Sequence, residues 1–254
     1  MPVREGIGLE LRSREASALV VVTGRLDITG YPFLRDGLLK IGADSPPGLI
    51  ADIDGLALER HSPSLFPLVA TRLERWPGIP FSLVTRQPTH VEAFETYGLD
   101  RFVPVHADVE AAERELPHPI RRRAERTLAR GEHGITQARA FVSARTREWG
   151  VPALEYDGTL IAAELTDNAT RHTKSLPQLR LELRQELLTI AVGDDDPRPA
   201  VLLDRPDLLE PGLGLRIVAQ TARAWGSSKR WTGGKVVWAV LATPERRRSR
   251  TLGP

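Results

Sequence analysis

The run Glu164-Leu165-Thr166-Asp167-Asn168-Ala169-Thr170-Arg171-His172 sets a carboxylate, a carboxamide and an imidazole at intervals of four residues. On a helix each such step turns the position by only about 40°, so the three side chains share one face. An Asn carbonyl oxygen is a hard, neutral ligand for Mg²⁺, an ion that keeps several waters and completes its shell from phosphates. A carboxylate one turn earlier can accept the proton of an attacking hydroxyl or water. The row therefore suits a metal-bound nucleotide, with Glu164 as base, Asn168 as metal ligand and His172 as a further group on the ligand side. An amphipathic helix with no chemistry in it would show the same polar row, because Ile161, Leu165 and Ala169 supply a buried stripe beside it.

Two other segments carry matching chemistry. Ile190-Ala191-Val192-Gly193-Asp194-Asp195-Asp196-Pro197 reads as a strand ending in carboxylates at a turn. A buried Asp194 is the acceptor that the N6 amino group of adenine requires and that distinguishes it from guanine; an Asp-rich turn closed by Pro197 is the purely structural alternative. Three adjacent carboxylates repel one another, so most must face water or a cation. Pro211-Gly212-Leu213-Gly214-Leu215-Arg216-Ile217-Val218 then opens an apolar helix on glycines. Gly212 and Gly214 let backbone N–H groups approach phosphates closely, and a helix N-terminus adds about half a positive charge. Helix starts use glycine for conformational reasons too, so the pair gains its weight from its place after the acidic turn.

The elements that must hold these groups come from an ordinary globular composition: 254 residues, 41% hydrophobic and 27% charged, enough for one large domain or two small ones. No cysteine is present, which excludes disulfides, thiolate metal sites and cysteine nucleophiles. No apolar run approaches the roughly 20 residues of a membrane span, and the first residues lack the apolar block of a signal peptide. A cytoplasmic location and no membrane partner are therefore expected. The sequence pI is about 9.2, yet the formal net charge is only +2, the acids are spread along the chain and no aromatic platform interleaves the bases, so no direct nucleic-acid partner is expected. Arg121-Arg122-Arg123 reads as a solvated linker and Arg246-Arg247-Arg248 as part of a basic tail over residues 244–254.

Strands and helices alternate in the first half. Ala18 to Thr23 is a strand, Pro32 to Leu39 a helix, Leu49 to Ile53 a strand and Leu65 to Trp76 a helix. Phe81 to Val84, a helix around His90 to Thr96, Val103 to Val105 and a helix from Val109 to Glu115 complete the unit. Pro117 and Pro119 mark a boundary. Beyond it the pattern predicts helices from about Thr136, a candidate N-cap, to Trp149 with Gly150 as stop, and from Thr159 to His172. A hairpin over Leu179 to Leu183 and Leu187 to Val192 follows, and the final strand runs from Val236 to Leu241. The fold class is thus α/β for residues 1–116 and α+β for residues 117–243, the latter with helices on one face of a mostly antiparallel sheet.

Taken in order, the three chemical segments resemble the Bergerat-fold ATPase superfamily of histidine kinases and gyrase, and within it the anti-sigma-factor serine-kinase branch. The likeness runs from about Arg121 to Leu241 and includes Ala138-Arg139-Ala140-Phe141-Val142 and Trp149-Gly150. It implies Glu164 as general base, Asn168 as the Mg²⁺ ligand, Asp194 as the adenine acceptor, and Gly212 and Gly214 along the phosphates, with ATP and Mg²⁺ as cofactors. Gly233-Gly234-Lys235-Val236-Val237-Trp238 resembles the last hairpin of that family, its glycines serving a turn. One departure stands out: the family continues Asp-x-Gly-x-Gly, whereas here Asp194 is followed by Asp195, Asp196, Pro197 and Arg198.

The first half resembles a STAS domain, the fold of anti-sigma-factor antagonists. Val20-Val21-Val22-Thr23-Gly24-Arg25-Leu26-Asp27, Leu49-Ile50-Ala51-Asp52-Ile53-Asp54-Gly55-Leu56 and Gly98 to Val105 carry that likeness. Antagonists have a phosphorylated Ser or Thr within a sequence like Asp-Ser-Ser-Gly, but Arg60-His61-Ser62-Pro63-Ser64 stands there instead. Ser62 reads as an N-cap before Pro63. The two resemblances imply a partner-switching regulator whose partner is a sigma factor or a STAS antagonist, with an intramolecular STAS contact and a homodimer both open. They imply protein serine/threonine kinase chemistry if the site is active; a non-catalytic regulator with a decayed or sensor-only nucleotide site is the alternative.

Overall fold

The β-branched run that begins at Ala18 pairs on both sides, and from it the first sheet grows. The computed structural model describes residues 3–4, 6–59, 62–117, 121–200 and 213–243. The chain divides into two compact units, Met1–His118 and Pro119–Pro254. In the first, β1 (Val3–Arg4), β2 (Ile7–Ser13) and β3 (Ala18–Leu26) are antiparallel neighbours. From β3 onward, β4 (Leu49–Leu58), β5 (Phe81–Val84) and β6 (Val105–His106) add in parallel. Each parallel step is bridged by a helix: α1 (Tyr31–Ala43), α2 (Leu65–Arg75) and α3 (Pro88–Thr96), with α4 (Val109–Glu115) closing the unit. Val20, Val22, Leu34, Leu38, Ile50, Ile53 and Leu83 are fully buried at the sheet–helix contact.

The second unit is built differently. Its sheet has the order β10 (Ala224–Lys229), β11 (Lys235–Ala242), β9 (Leu187–Asp194), β8 (Gln178–Arg184), β7 (Arg121–Thr127), with every neighbouring pair antiparallel. Leu179, Leu181, Leu188, Ile190, Val192, Val237, Ala239 and Leu241 alternate along their strands and so share a face. That face packs against α5 (Glu132–Glu148), α6 (Glu155–His172) and α7 (Leu213–Thr221) through Ala138, Val142, Ile161, Leu165, Ala169, Leu215 and Val218. The fold class is mixed: alternating strands and helices in one unit, an antiparallel sheet with helices on one face in the other.

Several elements differ from the sequence reading. Arg121-Arg122-Arg123 is no linker: it opens β7, and Arg121 and Arg123 reach the buried Glu182 at 3.5 and 3.8 Å. Thr136 does not cap α5; the helix starts one turn earlier, and the Thr136 hydroxyl donates to the Glu132 carbonyl. Nor does Ser62 cap α2: it sits in a 3-10 turn, Ser62–Ser64, with its hydroxyl donating to the Glu59 carbonyl at 2.7 Å. β1, β2 and β10 add to the strands expected, and the strand expected over Val103 to Val105 is Val105–His106. The hairpin between β8 and β9 turns on Gln185 and Glu186, both at positive φ (45° and 64°), the primed geometry whose twist matches that of the strands.

Candidate functional site

Helix α6 carries the polar row on the flank of its buried stripe. Ile161, Leu165 and Ala169 are at most 1% exposed, whereas Glu164 and Asn168 are half-buried one turn apart. Position 172 ends the helix; the side chain of His172 lies outside the described residues, as does Gly212. The structure brings Glu164 to α7: a Cβ added to Gly214 would fall 2.4 Å from the Glu164 Oε2 atom. A side chain at position 214 would require the Glu164 carboxylate to swing aside, so with glycine there the first turn of α7 and that carboxylate lie directly against each other. Burial pushes the Glu164 carboxyl above its ordinary value, Asp167 adds to this, and Arg139 and Arg171 oppose it. A carboxyl shifted this way is a better proton acceptor near neutral pH.

Asn168 supplies a second feature. Its Nδ2 atom is buried and has no hydrogen-bond partner among the described residues. A buried amide N–H with nothing to bond is unusual in a finished interior, and the carboxamide oxygen of the same group is the atom type that Mg²⁺ takes. The donor set thus fits a metal-bound polyphosphate: a carboxamide oxygen, a carboxylate one turn away, and the N-terminal turn of a helix against that carboxylate.

Asp194 ends β9 and is 5% exposed. Its Oδ1 accepts from the Lys235 ammonium at 2.8 Å and from the Asp196 amide at 2.9 Å, while Oδ2 is buried without a partner among the described residues. Burial pushes the Asp194 carboxyl up, against Lys235 and the Asp196 amide, which pull it down. Asp196 behaves oppositely: bonded to Arg198, it is held well below the usual carboxylate range. The loop after α6 meets this end of β9, because the Ser175 hydroxyl bonds Thr173 and faces the Asp195 amide at 3.4 Å. Arg130 ties the same end of α6 by donating to the carbonyls of Thr170 and Thr173 at 3.2 and 2.8 Å.

Sequence reasoning missed Lys235, Ser175 and Arg130. Lys235 had a readable signal, since a cation within an apolar strand must find a counter-charge when buried. The reading of Gly233 and Gly234 as a turn matches the structure: both have positive φ (99° and 73°) in the link between β10 and β11.

The first unit holds a polar cluster of its own at the ends of its parallel strands. Asp54 accepts from the Arg86 backbone N–H and guanidinium and from the Thr85 hydroxyl, and Thr85 faces Nδ1 of the buried His90 at 3.0 Å. Asp54, Leu56 and His90 line a groove of about 710 Å³.

No family model matches the chain, and no curated protein does. Among solved structures it is similar to an anti-sigma factor antagonist from Mycobacterium paratuberculosis, with 21% identity and a TM-score of 0.40 over 46% of this chain and 98% of that one. It is also similar to the anti-sigma factor antagonist SpoIIAA in its unphosphorylated form, with 19% identity and a TM-score of 0.33 over 42% of this chain and 95% of that one. No described helix is long and apolar enough to cross a membrane.

Proposed function

We propose that this protein is a partner-switching regulator whose second unit binds ATP with Mg²⁺ and transfers the γ-phosphoryl group to a Ser or Thr hydroxyl of a STAS antagonist. The observation that carries the reading is the approach of Gly214 to the Glu164 carboxylate, one helical turn from the unpartnered amide of Asn168. Asn168 would hold Mg²⁺ through its amide oxygen, and the bound ion would neutralise phosphate charge. Glu164 accepts the proton of the incoming hydroxyl as its oxygen bonds to phosphorus and the bond to the β-phosphate oxygen breaks, releasing ADP. The first turn of α7, in which Gly214 lies, offers backbone N–H groups to the phosphates. Asp194, with one buried oxygen unpartnered among the described residues, accepts from the base.

A second reading, a nucleotide-sensing regulator without phosphoryl transfer, is favoured by the acidic box, where Asp195, Asp196 and Pro197 replace a glycine-bearing stretch. Equilibrium binding of a fluorescent ATP analogue with and without Mg²⁺ tests what the two readings share. Asn168→Ala is expected to abolish the Mg²⁺ dependence, because Ala offers no oxygen ligand. Affinity that responds neither to this substitution nor to a chelator counts against both. Labelled phosphate appearing on an added antagonist, and lost in Glu164→Gln, separates the first reading from the second.

A further inference from the structure

The strand register sets Lys235 directly opposite Asp194, and both side chains are buried, 2% and 1% exposed. Gly234 makes this possible: at φ +73°, a Cβ there would fall 2.0 Å from the Asp194 carbonyl oxygen, so β11 can begin at this point only after a glycine. A buried ammonium is retained only with its charge compensated. Lys235 meets Asp194 Oδ1 at 2.8 Å, the Asp196 carbonyl at 3.4 Å and the Asp196 carboxylate at 3.6 Å. With the Asp196 amide also on Oδ1, one oxygen of Asp194 is engaged twice and the other has no partner among the described residues. An unmade bond at a buried acceptor is costly, so Oδ2 is a position waiting for a donor.

Resting on the nucleotide-site reading, we propose that Lys235 is a positioning residue for base recognition: it holds the Asp194 carboxylate by Oδ1 and so leaves Oδ2 as the acceptor for an amino group of the base. A 6-amino purine supplies that donor, whereas a 6-oxo purine presents an acceptor to an acceptor and is rejected. The surrounding charges do not substitute for Lys235. Asp196 is itself drawn to Arg198, Arg230 from the turn before β11 donates to Gln178 of β8 at 3.3 Å, and Ser175 faces Asp195. With Lys235 removed, burial would drive a proton onto Asp194 and free the carboxyl to rotate.

The test is titration calorimetry of the full chain with ATP and with GTP, at about pH 6 and about pH 8. Wild type is expected to prefer ATP equally at both. Lys235→Met is expected to lose roughly tenfold or more of that preference, more at the lower pH, and Lys235→Arg to restore part of it. A Lys235→Met protein with the wild-type ATP/GTP ratio at both pH values overturns the proposal. If Lys235→Met does not fold, the double variant Lys235→Met/Asp194→Asn, which leaves no bare charge, is compared with Asp194→Asn. Equal ATP affinities support action through Asp194, and a further loss in the double variant overturns it. Should wild type bind neither nucleotide, the proposed function fails, and Lys235 is judged on the carboxyl ¹³C titration of Asp194. A midpoint raised by Lys235→Met supports the hold of Lys235 on Asp194, and an unmoved one overturns it.

Discussion

Glu164 and Asp194 are both carboxylates that burial pushes toward the protonated form, but the groups opposing that push differ. At Asp194 a lysine in contact opposes it, which suits the acceptor role proposed for that residue; at Glu164 the opposition comes from Arg139 and Arg171 with no ion pair to either, which suits a proposed base. A folded-state value above the unfolded one means that the folded protein binds the proton more tightly. Its contribution to stability is therefore full below the unfolded value and is lost as pH rises through the folded one. Glu164→Gln removes that loss. Its melting temperature is expected to exceed that of wild type at about pH 8, with the gap closing toward about pH 4. The same variant should transfer phosphate about 10²- to 10⁴-fold more slowly. Thermal scans showing a gap that does not change with pH would remove the physical basis for assigning Glu164 as base.

Placement of these residues is the work of elements, and here the legibility of the sequence divides along physical lines. Helix α6 was readable because its apolar positions repeat at helical spacing, and Ile161, Leu165 and Ala169 are indeed buried. The β8–β9 hairpin was readable from two apolar runs around a short polar link. β10 was not, because Ala-Trp-Gly-Ser-Ser-Lys has no alternation; Gly226 lies there because the Trp238 ring leaves no room for a Cβ, which would sit 2.7 Å from it. β7 was misread because its arginines signal solvent, and only the facing strand shows that they answer Glu182. In the candidate site, the proposed residues rest on type and spacing in the sequence, whereas the lysine against Asp194 depends on a cross-strand register fixed by a glycine. Gly234 provides the test at this scale. Gly234→Ala meets backbone atoms and is expected to cost more than about 2 kcal/mol, whereas Gly233→Ala, with nothing within 4 Å of the added atom, should cost only about 1 kcal/mol of backbone strain. Equal shifts in the two urea-unfolding midpoints would show that the close approach at Asp194 is not a constraint.

At the scale of the whole chain, the proposed activity places a phosphoryl-transferring unit and a unit of its substrate's type on one polypeptide, which raises the question of self-modification. Tethering gives each unit a high effective concentration of the other only where the linker permits the encounter. The local structure argues against an acceptor at Ser62: the residue is 6% exposed, its hydroxyl donates to the Glu59 carbonyl, and Pro63 fixes the backbone beside it. In-line attack would require breaking that bond and lifting the 3-10 turn out of the unit. Ser64 is exposed but lies within the same turn, outside the Asp-Ser-Ser-Gly setting that the antagonist resemblance implies. Incubation with labelled ATP is therefore expected to leave this chain unlabelled while an added antagonist bearing the full tetrad acquires label in a Glu164-dependent way. Rapid labelling of Ser62 or Ser64, abolished by Glu164→Gln, would instead make the first unit the substrate of the second, and the 3-10 turn a segment that opens to be modified.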